Sequence, residues 1–539
     1  VNLSLFPGNR LMMAEIRQSR TLGALLFCAA VATGPAAAQT QAQAQELPLS
    51  VIDWLGTQAT PQPAARRQPN KANPNEAPVA KTALPPKVTV SPLGVGSPRA
   101  IGLVPNTVTG LPQNLWLGST AKDLIDQIED LPELRLPAAQ SLLYTVLLAE
   151  AFAPQGDAQA GNELALARVR KLLRLGALDP ALSLIEQAGV TTSPEHFDLW
   201  MDISLLTGTE DRACDVLGQS PHLTRNYGTR IFCAARASNW DNAALTFGSA
   251  QALELLPQEQ LALLDRFLHP ESFEGMPPLP TPRGMDPLSF RLFETIGEPM
   301  PTGTLPRPYA VADLRDIAGW KAQLEAAERL TRAGALPDNR LLGLYTDRAP
   351  AASGGVWDRV RDLQRFETAL ATGSPDAVTK TLPAVWIGMQ EAGLEVAFAT
   401  LFAEDLSRIA LEGRAARIAF DICMLSPMYE AAAADPSRDI ANTALLRAIA
   451  RGEAPATRPE GALPGAIHDA FKGAPPRENL VGAARDNRLG EVILQVLAML
   501  QKGAQGDTTA MRDALATLRA LGLEDTARRA ALQSLLLER

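Results

Sequence analysis

Three stretches of this chain repeat one arrangement of a small residue, an aspartate and an alanine, and that arrangement constrains the fold more than any other feature. Leu175-Gly176-Ala177-Leu178-Asp179-Pro180-Ala181 is followed by Thr207-Gly208-Thr209-Glu210-Asp211-Arg212-Ala213, then by Ala237-Ser238-Asn239-Trp240-Asp241-Asn242-Ala243. In each, Asp lies three and Ala five positions after the small residue, and successive aspartates are 32 and 30 residues apart. A small residue permits the tight turn that ends one helix. An acidic side chain then suits the exposed N–H groups that open the next. An alanine on that second helix lets two helices approach closely. Gly176, Ala181, Gly208, Ala213, Ser238 and Ala243 are therefore expected to be packing positions of a helix–turn–helix array.

The rest of the body reads the same way. From about Ser119 onward, apolar residues fall at helical spacing, as in Leu142, Leu143, Val146 and Leu147, or Ile493, Val496, Leu497 and Leu500. Aromatics make up only 5% of the chain, so Ala and Leu carry its hydrophobicity, and both favour helix over strand. No run alternates as a strand would. The expected fold class is all-α. Over residues 162 to 255 the pattern resembles tetratricopeptide-type repeats, in which Gly ends a first helix and Ala opens the packed face of a second. The Trp-x-x-Leu-Gly-x-x-Tyr signature of such repeats is missing, so the resemblance implies an α-solenoid but transfers no ligand-binding position. It also implies that Cys214 lies on a second helix and Cys233 on the first helix of the next unit, close enough to bridge. The alternative is three buried thiols, counting Cys423.

The N-terminal part is different. Arg10, Arg17 and Arg20 precede a short apolar run from Leu22 to Gly34 and then Ala36-Ala37-Ala38, the pattern of a cleaved secretory signal over residues 1–38. Residues 39–118 hold twelve prolines and are rich in Gln, Ala and Asn, so a disordered or extended tail is expected there. Two apolar islands interrupt it. Leu47, Val51, Ile52, Trp54 and Leu55 form a candidate docking motif, because one aromatic anchor can carry much binding energy. The second island, Val88 to Trp116, is better suited to packing on the chain's own body. The chain carries a net charge of −9; with +2 on residues 1–38 and +3 on the tail, residues 119–539 carry −14. An acidic body on an exported chain disfavours nucleic acid. Nine prolines between 271 and 308 suggest a linker, with one short helix near Pro287 to Ile296, between a helical array at 119–270 and another at 309–539.

The chain as a whole resembles a group of exported helical-repeat proteins of alphaproteobacteria with no assigned activity. They share a signal, a Pro-rich lead, an Ala/Leu-rich helical body and an ending like Leu489-Gly490-Glu491-Val492; some carry an antifreeze-like label. That resemblance supplies no activity, and the signal pattern makes the periplasm the expected location. The residues offer no catalytic motif either. His196, His222, His269 and His468 are too far apart in sequence for ordinary zinc-ligand spacing, and no hydrolase, P-loop or calcium motif occurs. Ser119-x-x-Lys122 matches a short catalytic pattern, but Ser119 is read as a helix N-cap. No cofactor is expected. No segment after residue 38 is long and apolar enough to span a membrane. The expected function is a non-enzymatic scaffold or adaptor for envelope proteins. The alternatives are a cell-wall enzyme of helical-superhelix type and a glycan- or surface-binding protein.

Overall fold

A computed structural model describes residues 100–156, 158–435 and 440–537. The expected signal at 1–38 and the docking motif Leu47, Val51, Ile52, Trp54 and Leu55 lie outside the described residues. Among the described residues the fold is all-α, with no strand beyond the isolated bridges Ile101 to Ala151, Val104 to Ala149 and Thr120 to Gln155.

A single turn, Asn106–Thr109, leads into helices α1 (Ala121–Asp130), α2 (Pro137–Leu148), α3 (Ala158–Leu175) and α4 (Leu178–Ala188). Then come α5 (Pro194–Thr207), α6 (Glu210–Gln219), α7 (Tyr227–Arg236), α8 (Trp240–Ala252) and α9 (Gln258–Leu268). Next are α10 (Pro287–Thr295), α11 (Trp320–Thr331), α12 (Asp338–Thr346), α13 (Val356–Ala371), α14 (Pro375–Ala392), α15 (Glu395–Ser407) and α16 (Gly413–Leu425). The short helices α17 (Tyr429–Ala434), α18 (Ala444–Ala450), α19 (Ala462–Phe471) and α20 (Glu478–Ala483) precede α21 (Leu489–Ala504), α22 (Thr508–Ala520) and α23 (Glu524–Leu536). Neighbours in sequence are mostly neighbours in space: α3 packs on α4, α5 on α6, α7 on α8, α13 on α14, α15 on α16 and α21 on α22.

The turns between these pairs follow from the repeated residues. Gly176, Gly208 and Ser238 all have positive φ, at 86°, 77° and 60°. Just after each, an amide reaches back five residues: Ala177 N to Leu172 O at 3.0 Å, Thr209 N to Ser204 O at 2.9 Å and Asn239 N to Ala234 O at 2.9 Å. This closure satisfies a carbonyl that the helix end would otherwise orphan. Asp179, Asp211 and Asp241 are each the second residue of the following helix. Ala181, Ala213 and Ala243 are wholly buried. Gly522, Asp525 and Ala527 repeat the arrangement before α23: Gly522 has φ 80°, Leu523 N reaches Leu518 O at 2.9 Å, and Ala527 is buried.

The first helices also pack against the last ones. α2 lies on α21 and α23, and α1 on α21. Residues ahead of α1 join this contact: Gly118 N donates to Asn487 O at 2.9 Å, and Gly490 N donates to Leu115 O at 3.0 Å. A Cβ at Gly490 would lie 2.3 Å from the ring of Trp116, so only glycine admits that indole. α2 opens with Pro137 and has no side-chain cap of its own. Instead, Gln533 Oε1 on α23 accepts from Ala138 N at 2.8 Å, and Gln501 Oε1 on α21 accepts from Arg135 N at 2.8 Å. Helix-end donors are thus satisfied by glutamines some 370–400 residues away in sequence (the separations are 366 and 395).

Two expected boundaries move. The tail does not extend to residue 118. Residues 101–118 are packed, with Val104 and Leu115 fully buried and Trp116 only 1% exposed. Apolar burial there outweighs the prolines, and Pro105 sits where a helical turn begins. The stretch 271–308 is not a free linker either. Its helix α10 buries Leu288, Leu292 and Phe293 and packs on α5. Arg291 on that helix pairs with buried Glu210 on α6 at 2.9 Å, and Glu298 pairs with Arg266 on α9. The helices on both sides belong to one compact unit.

Candidate functional site

The packing positions define a platform whose outer surface is α8. Inside it, Cys214 on α6 and Cys233 on α7 form a disulfide, with their Cα atoms 4.9 Å apart. Cys423 is a buried thiol on α16 whose Sγ donates to Ala403 O at 3.8 Å. Arg236 at the end of α7 pairs with Asp211 on α6, the aspartate of the second repeated turn. α7 in turn packs closely on α8. Ala243, Phe247 and Ala250 form the buried face of α8.

The opposite face of α8 is open to solvent and nearly without charge. Leu245 is 71% exposed, Leu253 just after the helix 67%, and Trp240 at its start 52%. Between them Ala244, Gly248, Ser249 and Ala252 are also exposed. A Cβ built on Gly248 meets nothing within 4 Å. Asp241 is the one ionisable residue in the helix. Scattered exposed apolar residues are ordinary; a Trp, two Leu and a run of small residues on one helix face are not. Sequence reasoning marked Ala243 for its inner face but missed the outer one. The signal was present: beyond the stripe of Ala243, Phe247 and Ala250, α8 still holds Trp240, Ala244, Leu245 and Ala252, apolar residues that one buried face leaves over.

A second region lies beside α10. A cavity of about 380 Å³ is bounded by Leu263, Leu279, Phe293, Glu259 and Asp286. Asp286 caps α10, accepting from Ser289 N at 2.9 Å and from Ser289 Oγ at 2.5 Å. Behind it on α5, burial together with the charges of Asp286 and Asp198 pushes the Asp202 carboxyl up to about 7. Burial and the carboxylates of Asp286 and Asp202 also raise the phenol of Tyr309. Asp202 does not itself line the cavity.

The remaining polar residues of interest serve packing. Ser119 is not a helix N-cap: Thr120 caps α1 by accepting from Asp123 N, while Ser119 Oγ donates to buried Glu491 Oε2 at 2.7 Å. His196, 1% exposed, lies 2.9 Å through Nδ1 from the Oγ of Ser193, which caps α5. Burial lowers its pKa. His468 Nε2 lies 3.0 Å from Pro455 O. Among the described residues, no group of three or more His, Cys, Asp or Glu is placed to hold a metal ion. No helix among them is long and apolar enough to cross a membrane. Arg168 is 2% exposed and donates to three carbonyls, Leu147 O, Ile101 O and Ala149 O, at 2.7, 3.0 and 2.9 Å. It locks the segment ahead of α1 to the end of α2.

Comparison with protein-family models, with curated proteins and with solved structures finds no significant match to this chain.

Proposed function

We propose that this protein is an exported scaffold of the bacterial envelope, of tetratricopeptide-like solenoid build, that holds a protein partner against its helical body without catalysing a reaction. The observation that carries this reading is the exposed outer face of α8, with Trp240, Leu245 and Leu253 presented on a helix braced from within by the Cys214–Cys233 disulfide. The occupant we assign is an amphipathic helix of another protein that offers an uncharged apolar face. The body around α8 carries much negative charge, yet the α8 face carries only Asp241, so charge pairing has little to contribute there. The small residues Ala244, Gly248 and Ala252, four apart, let a partner helix come close, and Trp240 supplies the large aromatic that dominates such contacts. Leu47–Leu55 ahead of the body provides a second apolar segment for the same partner.

The test is site-specific photocrosslinking in the cell from position 245, beside a control probe at exposed Lys321 on α11. A discrete heterologous adduct from position 245, absent at the control and lost with Trp240→Glu, is the expected result. A homodimer adduct, or a crosslink to residues 47–55 of the same chain, would overturn the partner assignment. So would adducts that survive Trp240→Glu.

A second reading rests on Asp202. A buried carboxyl raised to about 7, behind a cavity that Asp286 and Glu259 border, is the setting of a general acid, and cell-wall glycan would be the substrate class. Asp286, which faces that cavity, is engaged in capping α10, which weighs against it. Release of muropeptides from purified peptidoglycan by the wild-type protein but not by Asp202→Asn would favour this reading over the scaffold.

A further inference from the structure

The acidic body keeps one buried cation unpaired. Lys171 on α3 is 6% exposed. Its Nζ donates to Leu131 O, just past the end of α1, at 2.5 Å. Among the described residues it has no other hydrogen bond and no carboxylate at ion-pair distance. An ammonium has three N–H donors, and a buried one is expected to be paired. Exposed Arg174, on the next turn of the same helix, likewise has no hydrogen bond or ion pair among the described residues. Burial and the charge of Arg174 lower the Lys171 pKa to about 8, against the opposing pull of Asp130 at the end of α1.

Both cations border a cavity of about 230 Å³, which at roughly 30 Å³ each is room for about seven waters. Its wall is partly apolar. Leu131, Leu134, Leu143 and Leu175 line it, together with Tyr144, whose hydroxyl donates to Ala333 O at 2.9 Å. Its two carboxylates are already engaged. Glu133 pairs with Arg307, the third cation of the lining, and Glu129 lies 3.9 Å from Arg170. The charges left over at this cavity are therefore both positive, in a body whose net charge is −14. Such a lining complements one negative head on an apolar body.

We propose that this cavity binds a small organic monocarboxylate, with its carboxylate on the Lys171 ammonium and Arg174 and its apolar body against the leucines. The bound ligand joins the end of α1, the last turns of α3 and the segment that carries Arg307. The site shares no lining residue with the cavity beside α10 and none with the outer face of α8, so it stands apart from both readings of the function.

The test is calorimetric titration of the whole protein with benzoate and with benzyl alcohol, at ionic strength fixed with sodium chloride. At about pH 7 benzoate is expected to bind saturably, and about tenfold or more tightly than the alcohol. Lys171→Met keeps the aliphatic stem and should weaken benzoate binding about tenfold or more. Arg174→Gln alters an exposed side chain, leaves the core alone, and should weaken it about threefold or more. A merely structural Lys171 would move stability alone, so pH supplies a further readout on the wild type. Around Lys171 stand Arg174 on α3, Glu129 and Asp130 on α1, Glu133 after it, Tyr144 on α2, and Arg307. Carboxylates and guanidiniums keep their charge between about pH 7 and pH 9, and burial holds the Tyr144 phenol neutral. Benzoate affinity therefore follows the Lys171 ammonium and should fall above about pH 8, with proton uptake on binding read from buffers of different ionisation heat. The absence of saturable benzoate binding in the wild type overturns the proposal. Equal affinity for benzoate and the alcohol does so too, as does affinity that neither Arg174→Gln nor a shift to about pH 9 changes. Inorganic phosphate that displaces benzoate with equal affinity would replace the organic acid with a simple oxyanion and overturn the ligand class.

Discussion

Two regions of this molecule are both helix packed on helix, yet they are held by different means. Residues 178–252 are built from local units. Each turn is closed by a small residue, each following helix starts with an aspartate, and each pair is bound by residues at most about thirty positions apart, including the Cys214–Cys233 disulfide. The junction of 101–148 with 487–537 has no such units. It is closed by Gln501, Gln533, Glu491 and Gly490 reaching residues more than 360 positions away. The first region could form piece by piece. The second exists only when the chain ends have met, so loss of a junction contact should cost more than loss of a local one.

The largest expected effect is at Arg168, which holds the segment ahead of α1, one side of that junction, to the end of α2. Arg168→Met leaves Leu147 O, Ile101 O and Ala149 O without their donor in a buried site. It should destabilise by about 3–5 kcal/mol in urea denaturation, with protection of amides in residues 101–118 lost first in hydrogen exchange. A cost under about 1 kcal/mol would mean that residues 101–118 are not held to α2 as described.

The next prediction concerns pH and belongs to the local region. The Asp202 carboxyl titrates at about 7 in the folded protein, above its ordinary value of 3.8. The folded state therefore binds more protons than the unfolded one between about pH 4 and pH 7. Stability falls as pH rises through that window and stays reduced above it. Asp202→Asn should flatten this dependence and stabilise the protein at pH 8 by an amount on the order of 4 kcal/mol. An unchanged pH profile of thermal unfolding would remove Asp202 from the account.

Removing the disulfide with paired Cys214→Ser and Cys233→Ser should cost about 3 kcal/mol, for a loop of about twenty residues. Because the disulfide is local, the junction should keep its hydrogen-exchange protection. If the junction loosened to the same degree, the division into two regions would fail.

The smallest effect concerns Ser238, the one non-glycine among the three repeated turns, at φ 60°. Ser238→Gly relieves the left-handed conformation and should stabilise by up to about 1 kcal/mol, partly offset by the freer unfolded chain. Gly208→Ser, at φ 77°, should move stability the other way by a similar amount. Opposite signs in thermal melts would show that the two turns are equivalent in structure.

This contrast also shows what could be read in advance. Gly176, Gly208 and Ser238 announced their turns because a left-handed residue is a local demand that only a few residue types meet. Ala181, Ala213 and Ala243 announced buried positions because close helix packing excludes larger side chains. The outer face of α8 was readable in principle, since Trp240, Leu245 and Leu253 exceed what one buried stripe can absorb. Ser119 misled because a serine before a helix is a good cap, and Thr120 beside it is one too; Glu491, 372 residues on, decided between them. Nothing local in Leu136-Pro137 says that α2 will be capped by Gln533.

By itself the sequence determined the all-helical class and the residues that turn one helix into the next, because helix propensity, turn conformation and helical spacing act over a few residues. Only the tertiary structure decided that residues 101–118 are core, that α10 and its proline-rich flanks pack against the body, and that glutamines on α21 and α23 close the start of α2. Those outcomes depend on contacts between residues far apart in the chain. Burial there is settled by which surfaces meet, and a side chain's own chemistry does not say what it will meet.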